Sequence, residues 1–178
     1  MATLTRLGQF ISARDHKMMR RISRWSPPAW VRVWMTSSSR AGDGWLWGSL
    51  AIPILWLGGQ RRYEAMAVLA SAALTGILVF LLLKRMCSRA RPCEIAPIRW
   101  KELVPPDRFS FPSGHSITAF AMVVPLSLFY PTFMMELMFC AVSVASSRVV
   151  LGLHFLSDVV AGSLMGAGIG YAAYALVV

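Results

Sequence analysis

Four stretches of this chain, 65–83, 113–135, 137–147 and 159–178, are almost free of charged side chains, whereas 1–44 and 84–108 are crowded with them. This partition constrains the fold more than any local motif does. About 20 residues of helix cross the hydrocarbon core of a bilayer, where each backbone N–H and C=O must find its partner inside the protein. Apolar runs of this kind therefore predict membrane-spanning helices. Composition agrees without deciding the matter: 56% of the 178 residues are hydrophobic and the mean hydropathy is +0.56. Soluble domains are nearly half apolar as well, so the distribution carries the argument.

Along the chain the predicted spans are 45–59, 65–83, 113–130, 133–147 and 159–178. The first contains Pro53 and is short, so it must extend, thin the bilayer locally or be shielded by neighbours. Arg61 and Arg62 make the next turn, a polar loop follows the second span, and Pro125 predicts a kink in the third. The last span holds Gly162, Gly166 and Gly170, two overlapping G-x-x-x-G pairs whose face is expected to pack inside the bundle. Residues 4–25 set Leu7, Ile11, Met18, Ile22 and Trp25 among Arg6, Arg14, Lys17, Arg20, Arg21 and Arg24. That is the pattern of a basic amphipathic helix lying in the membrane interface, and Trp30 and Trp34 continue it. The expected architecture is all-α: a transmembrane bundle of about five spans over 45–178, preceded by an interfacial segment over 1–44. No cleavable signal peptide is expected, because the first long apolar stretch begins only near Trp45.

Lys and Arg number 18 against 8 Asp and Glu. In a soluble protein this balance would suggest nucleic acid, but no nucleic-acid motif is present and the basic residues flank apolar spans. Lipid headgroups and topology control are the expected explanations, with no nucleic-acid partner. Five spans place sixteen of the basic residues on one side and only Arg61 and Arg62 on the other. The positive-inside rule then predicts a cytoplasmic location for the basic side. Cys87, Cys93 and Cys140 form no C-x-x-C pair and suggest no disulfide framework.

The polar residues inside the core gather where helices end on that basic side. Lys84 and Arg91 are seven apart and would share a face if the second helix continued, with Pro92 ending it. Pro112-Ser113-Gly114-His115 opens the third helix, whose N-terminus is a ready anion site, and Gly114 lets a ligand approach the backbone. Ser147-Arg148 closes the fourth helix. His154 and Asp158 stand four apart across the start of the fifth, near enough for a carboxylate to orient an imidazole. Singly, each has an ordinary explanation: Lys84 a snorkelling lysine, Arg91-Pro92 a helix stop, Ser113-Gly114 a cap, Arg148 a topology anchor. Together, three cations, a glycine-containing helix start and two histidines on one membrane face point to a phosphate. His16 is assigned no role, and Glu136 is placed near the opposite interface.

This constellation resembles the type-2 phosphatidic acid phosphatase (PAP2) superfamily, whose signature is K-x6-R-P, P-S-G-H and S-R-x5-H-x3-D. The chain carries all three, at Lys84 to Arg91-Pro92, at Pro112 to His115, and at Ser147-Arg148, His154 and Asp158. The resemblance covers about residues 84–158. It implies a membrane lipid-phosphate phosphatase in which His154 attacks phosphorus and forms a phosphohistidine, while Asp158 fixes its tautomer. His115 would protonate the leaving oxygen and later activate water. Lys84, Arg91, Ser113, Gly114 and Arg148 would hold the phosphoryl oxygens. The cationic cluster implies chemistry without a metal, and no cofactor is expected. The expected substrate is a phospholipid or polyprenyl phosphate, with no obligate protein partner. The expected location is the bacterial inner membrane, with the site on its cytoplasmic face. Two alternatives differ in class: a lipid-to-lipid phosphotransferase using the same phosphohistidine, and a catalytically idle membrane binding protein, which the intact signature disfavours.

Overall fold

The computed structural model describes residues 2–95 and 109–178; residues 96–108 of the expected polar loop lie outside the described residues. The described chain is helical: α1 Ala2–Arg24, α2 Ala29–Ala41, α3 Trp45–Ser49, α4 Ala51–Leu57, α5 Arg62–Met86, α6 Pro92–Ile95, α7 Gly114–Phe129, α8 Met134–Val150 and α9 Leu156–Ala175. Among the described residues three helices are long and apolar enough to cross a membrane: Gly59–Met86, Pro131–Val150 and Leu156–Ala175. Two further apolar helices, Trp45–Leu57 and Gly114–Phe129, are shorter. Pro53 cannot donate to the carbonyl four residues back, and the first of these short helices is interrupted just before it, at Leu50. The 16 residues of α7 rise only about 24 Å, less than a hydrocarbon core. That length is sufficient because α7 is enclosed by α5, α8 and α9 rather than by lipid.

The glycines of α9 create this enclosure. A Cβ on Gly162 would fall 2.7 Å from the Ser113 carbonyl oxygen, one on Gly166 2.3 Å from that of Ile117, and one on Gly170 2.7 Å from that of Ala121. Only hydrogen fits at these three positions, so the backbones of α7 and α9 lie in direct contact, as the G-x-x-x-G spacing predicts. The main apolar core joins Trp47, Ile54, Leu69, Met122, Leu126 and Val144 across five helices. Leu74, Leu78 and Leu82 of α5 and Leu164 of α9 remain exposed, the surface expected of helices facing lipid. A second cluster places Met19 of α1 against Ala145, Val149, Phe155 and Val159, so α1 lies over the ends of α8 and α9 with its arginines turned outward.

Two local readings change. The second span does not continue to Arg91: α5 ends at Met86, Cys87 is extended (φ −112°, ψ 107°), and Ala90 pairs with Phe109 in an isolated bridge. Pro92 accordingly opens α6 instead of ending α5, since its fixed φ suits a first helical position. The last helix begins at Leu156, which puts Asp158 in its first turn, where the helix dipole favours a carboxylate.

Candidate active site

The turn between α8 and α9 is built on Gly152, whose φ of +64° is a conformation that suits glycine. It folds the chain back so that the amides of Leu153 and His154 both donate to the Arg148 carbonyl, at 2.9 and 3.0 Å. The residue carrying one cation thereby anchors the backbone of the histidine. His154 is 2% exposed, and its Nδ1 lies 2.6 Å from the carbonyl oxygen of Ser110. A carbonyl only accepts, so Nδ1 carries the ring proton and Nε2 keeps its lone pair. Burial, then the charges of Arg91 and Arg148, hold His154 well below the usual imidazole range. The ring is therefore neutral near pH 7, the form a nucleophile requires.

Arg91 is buried, donates from Nη1 to the Leu153 carbonyl at 2.6 Å, and places the same nitrogen 3.4 Å from His154 Nε2. Arg148 is also buried and donates to Ser39 Oγ of α2. The Lys84 ammonium lies 4.8 Å from the Phe80 ring centre. These three cations, His115, His154 and Gly114 line one cavity of about 480 Å³, with Ile77, Phe80 and Leu81 of α5 as its apolar wall. A Cβ on Gly114 would meet Phe80 at 2.9 Å, so the glycine lets the Phe80 ring pack directly against the helix start. Of the predicted site residues, Lys84, Arg91, Gly114, His115, Arg148 and His154 thus share one chamber.

The other two stand behind it. Ser113 is fully buried, and its hydroxyl oxygen accepts from Ser116 at 2.9 Å rather than lining the cavity. Asp158 Oδ2 stands 4.0 Å from His154 Nδ1, beyond hydrogen-bond reach. It accepts instead from the Phe155 amide at 2.9 Å and from the Ser110 hydroxyl, while Oδ1 accepts from Arg89 at 2.6 Å. The carboxylate reaches the imidazole through Ser110, which donates to Asp158 with its hydroxyl and accepts from His154 with its carbonyl.

Several polar partners come from segments that the sequence reading left out. His115 Nε2 is 2.6 Å from Asp43 Oδ1, in the turn between α2 and α3. Arg89 bridges Asp158 to Asp15 of α1, 2.7 Å from its Nη2, and lies over the Phe155 ring. Asp15 also accepts from the Ser157 amide at 3.2 Å. The signals available were faint: Asp43 sits between two glycines, and Asp15 is the only acid within a helix rich in arginine. Among the described residues, no three His, Cys, Asp or Glu side chains gather as a metal-ligand set.

Comparison with known proteins gives a matching family, the PAP2 superfamily, over residues 64–178. The chain is 33% identical to a lipid A 1-phosphatase of Rhizobium johnstonii over 66% of this chain and 46% of that one. It is 32% identical to a decaprenylphosphoryl-5-phosphoribose phosphatase of Mycobacterium tuberculosis, covering 71% of this chain and 68% of that protein. The chain spans about half the length of the lipid A 1-phosphatases it matches. Among solved structures, the crystal structure of Aquifex aeolicus LpxE superimposes with a TM-score of 0.73 at 25% identity, covering 88% of this chain and 92% of that one.

Proposed function

This chain belongs to the PAP2 superfamily, and from that premise we propose that it hydrolyses a phosphomonoester or diphosphate of a membrane lipid through a phosphohistidine on His154. One observation carries the reading. His154, with its Nε2 lone pair free of the Ser110 contact, opens into the same cavity as His115 and three cations, beside an apolar wall on a lipid-facing helix. A headgroup phosphate fits among Lys84, Arg91 and Arg148, and the lipid's apolar part fits along Ile77, Phe80 and Leu81.

In the first step the Nε2 lone pair forms the N–P bond, the P–O bond to the lipid breaks, and the departing oxygen takes a proton from His115. In the second, His115 removes a proton from water, the water oxygen bonds phosphorus, and the N–P electron pair returns to His154. The cations offset the charge on the equatorial oxygens, the work a divalent metal does in other phosphoryl-transfer sites. Asp158 and Ser110 keep the Nδ1 proton in place. The names of the relatives support lipid A phosphates and polyprenyl-phosphoryl sugar phosphates as the first substrates to try. The bias of basic residues supports a bacterial inner membrane protein with its site toward the cytoplasm.

The test is phosphate release by the purified chain across phosphatidic acid, phosphatidylglycerophosphate, polyprenyl diphosphate, polyprenyl-phosphoryl sugar phosphate and lipid A. His154→Ala is expected to lower the rate by at least about 10³-fold, and His115→Ala by about 10²- to 10⁴-fold. EDTA is expected to leave the wild-type rate unchanged. Full activity in either variant would overturn the assignment, and a rate abolished by EDTA and restored by Mg²⁺ would overturn the metal-free mechanism.

A further inference from the structure

We propose that Asp43 is a positioning residue for His115, holding the proton-transfer imidazole in its working tautomer and supporting its charged form. This rests on the reading of His115 as general acid and base, and adds a residue from outside the segment that matches the family. The two side chains come from opposite parts of the sequence, 72 residues apart, and meet at 2.6 Å.

The turn carrying Asp43 is shaped for that meeting. Its backbone is tied down by the Gly42 amide donating to Ser38 and the Asp43 amide donating to Arg40, each at 3.1 Å. Gly42 then passes so near the imidazole that a Cβ there would lie 3.0 Å from His115 Cδ2 and 2.7 Å from Val144 Cγ1. Gly44 follows at a φ of +118°, which turns the chain into α3. Two glycines with different duties bracket one carboxylate.

Electrostatics gives the contact its purpose. His115 shares its cavity with Lys84, Arg91, Arg148 and His154, so a protonated imidazole there faces like charges. Among the described residues, Asp158, the carboxylate behind His154, is occupied by Arg89, Ser110 and the Phe155 amide. Asp43 is the carboxylate placed on His115 itself. An ionised carboxylate only accepts, so it fixes a proton on Nε2 and leaves Nδ1 as the nitrogen that gives and takes the second proton. That proton passes to the lipid oxygen as the P–O bond breaks and returns from water as the N–P bond is hydrolysed, while Nε2–H stays on Asp43 throughout. Asp43 is 56% exposed, and an ion pair so exposed contributes little to folding, which leaves the chemistry as its role.

A general-acid defect has a signature that a packing defect lacks. An alkoxide leaving group needs the proton, whereas p-nitrophenolate departs without one. The purified chain would be assayed on phosphatidic acid and on p-nitrophenyl phosphate, comparing kcat/KM, which covers only the steps up to departure of the leaving group. Asp43→Asn is expected to lower kcat/KM on phosphatidic acid about 10-fold or more but on p-nitrophenyl phosphate less than about 3-fold, with Asp43→Glu recovering most of the loss. Equal losses on the two substrates, or an unchanged value on phosphatidic acid, overturn the proposal while leaving the phosphatase reading intact. Where the lipid screen shows another lipid to be hydrolysed faster, that lipid replaces phosphatidic acid in the comparison. A wild-type chain that releases phosphate from none of those lipids nor from p-nitrophenyl phosphate, and behaves as His154→Ala does, overturns both.

Discussion

At the scale of single residues, His154 is defined by what surrounds it: a carbonyl on Nδ1, a guanidinium facing Nε2, and almost no water. Its folded form resists protonation that the unfolded chain accepts near the ordinary imidazole value of about 6.5. The unfolded state therefore binds more protons below that value, so stability is fully present above it and falls as the solution is acidified. The thermal midpoint in detergent is expected to drop between about pH 7 and about pH 5, and to drop less in His154→Asn, which has no proton to gain. Equal slopes for the two proteins would contradict the buried neutral ring. The residues in spaced signatures were legible in the sequence because their spacing survives without knowledge of the fold. Ser110 and Arg89 were not, because their roles depend on Asp158 and His154, 44 to 69 residues away, and no local pattern announces such a meeting.

At the scale of elements, the contact between α7 and α9 carries both sides of the chemistry, since α7 begins at His115's turn and α9 begins beside Asp158. The Ser113 amide donates to the Asp158 carbonyl at 3.3 Å, so a shift between these helices is felt at the site. Gly166→Ala is expected to destabilise the protein by about 1–3 kcal/mol, because the added carbon meets backbone that cannot turn aside. Gly168→Ala, where a Cβ meets nothing within 4 Å, is expected to be neutral or slightly stabilising. Thermal midpoints of the two variants check this, and similar midpoints would argue against the close packing. Charge-free runs and glycine spacing made this layer of the fold readable, because both are properties of one helix. The end of α5 was less so: whether a helix continues through 87–91 depends on the bridge between Ala90 and Phe109, a partnership across a loop.

At the scale of the whole molecule, residues 1–44 are joined to the core, among the described residues, at three polar points: Asp15 to Arg89 and Ser157, Ser39 to Arg148, and Asp43 to His115. The sequence showed this segment as basic and amphipathic but not as a contributor to the site, because its polar contacts depend on how it lies against the bundle. The charge distribution also makes a testable statement about orientation. In intact bacteria an impermeant maleimide is expected to leave Cys87 and Cys93 unlabelled until the inner membrane is opened, since both adjoin the basic end of α5. Labelling in intact cells would put the cavity outside.

The clasp between Asp15 and Ser157 joins points 142 residues apart in the chain. During synthesis the first helix is finished long before its partner exists, and Arg89 lacks its second carboxylate neighbour, Asp158, until the start of α9 has been threaded. Assembly of the nucleophile's support is thus among the latest events of biogenesis, and a nascent chain halted before residue 157 would sit in the membrane with its helices made and its chemistry still unborn.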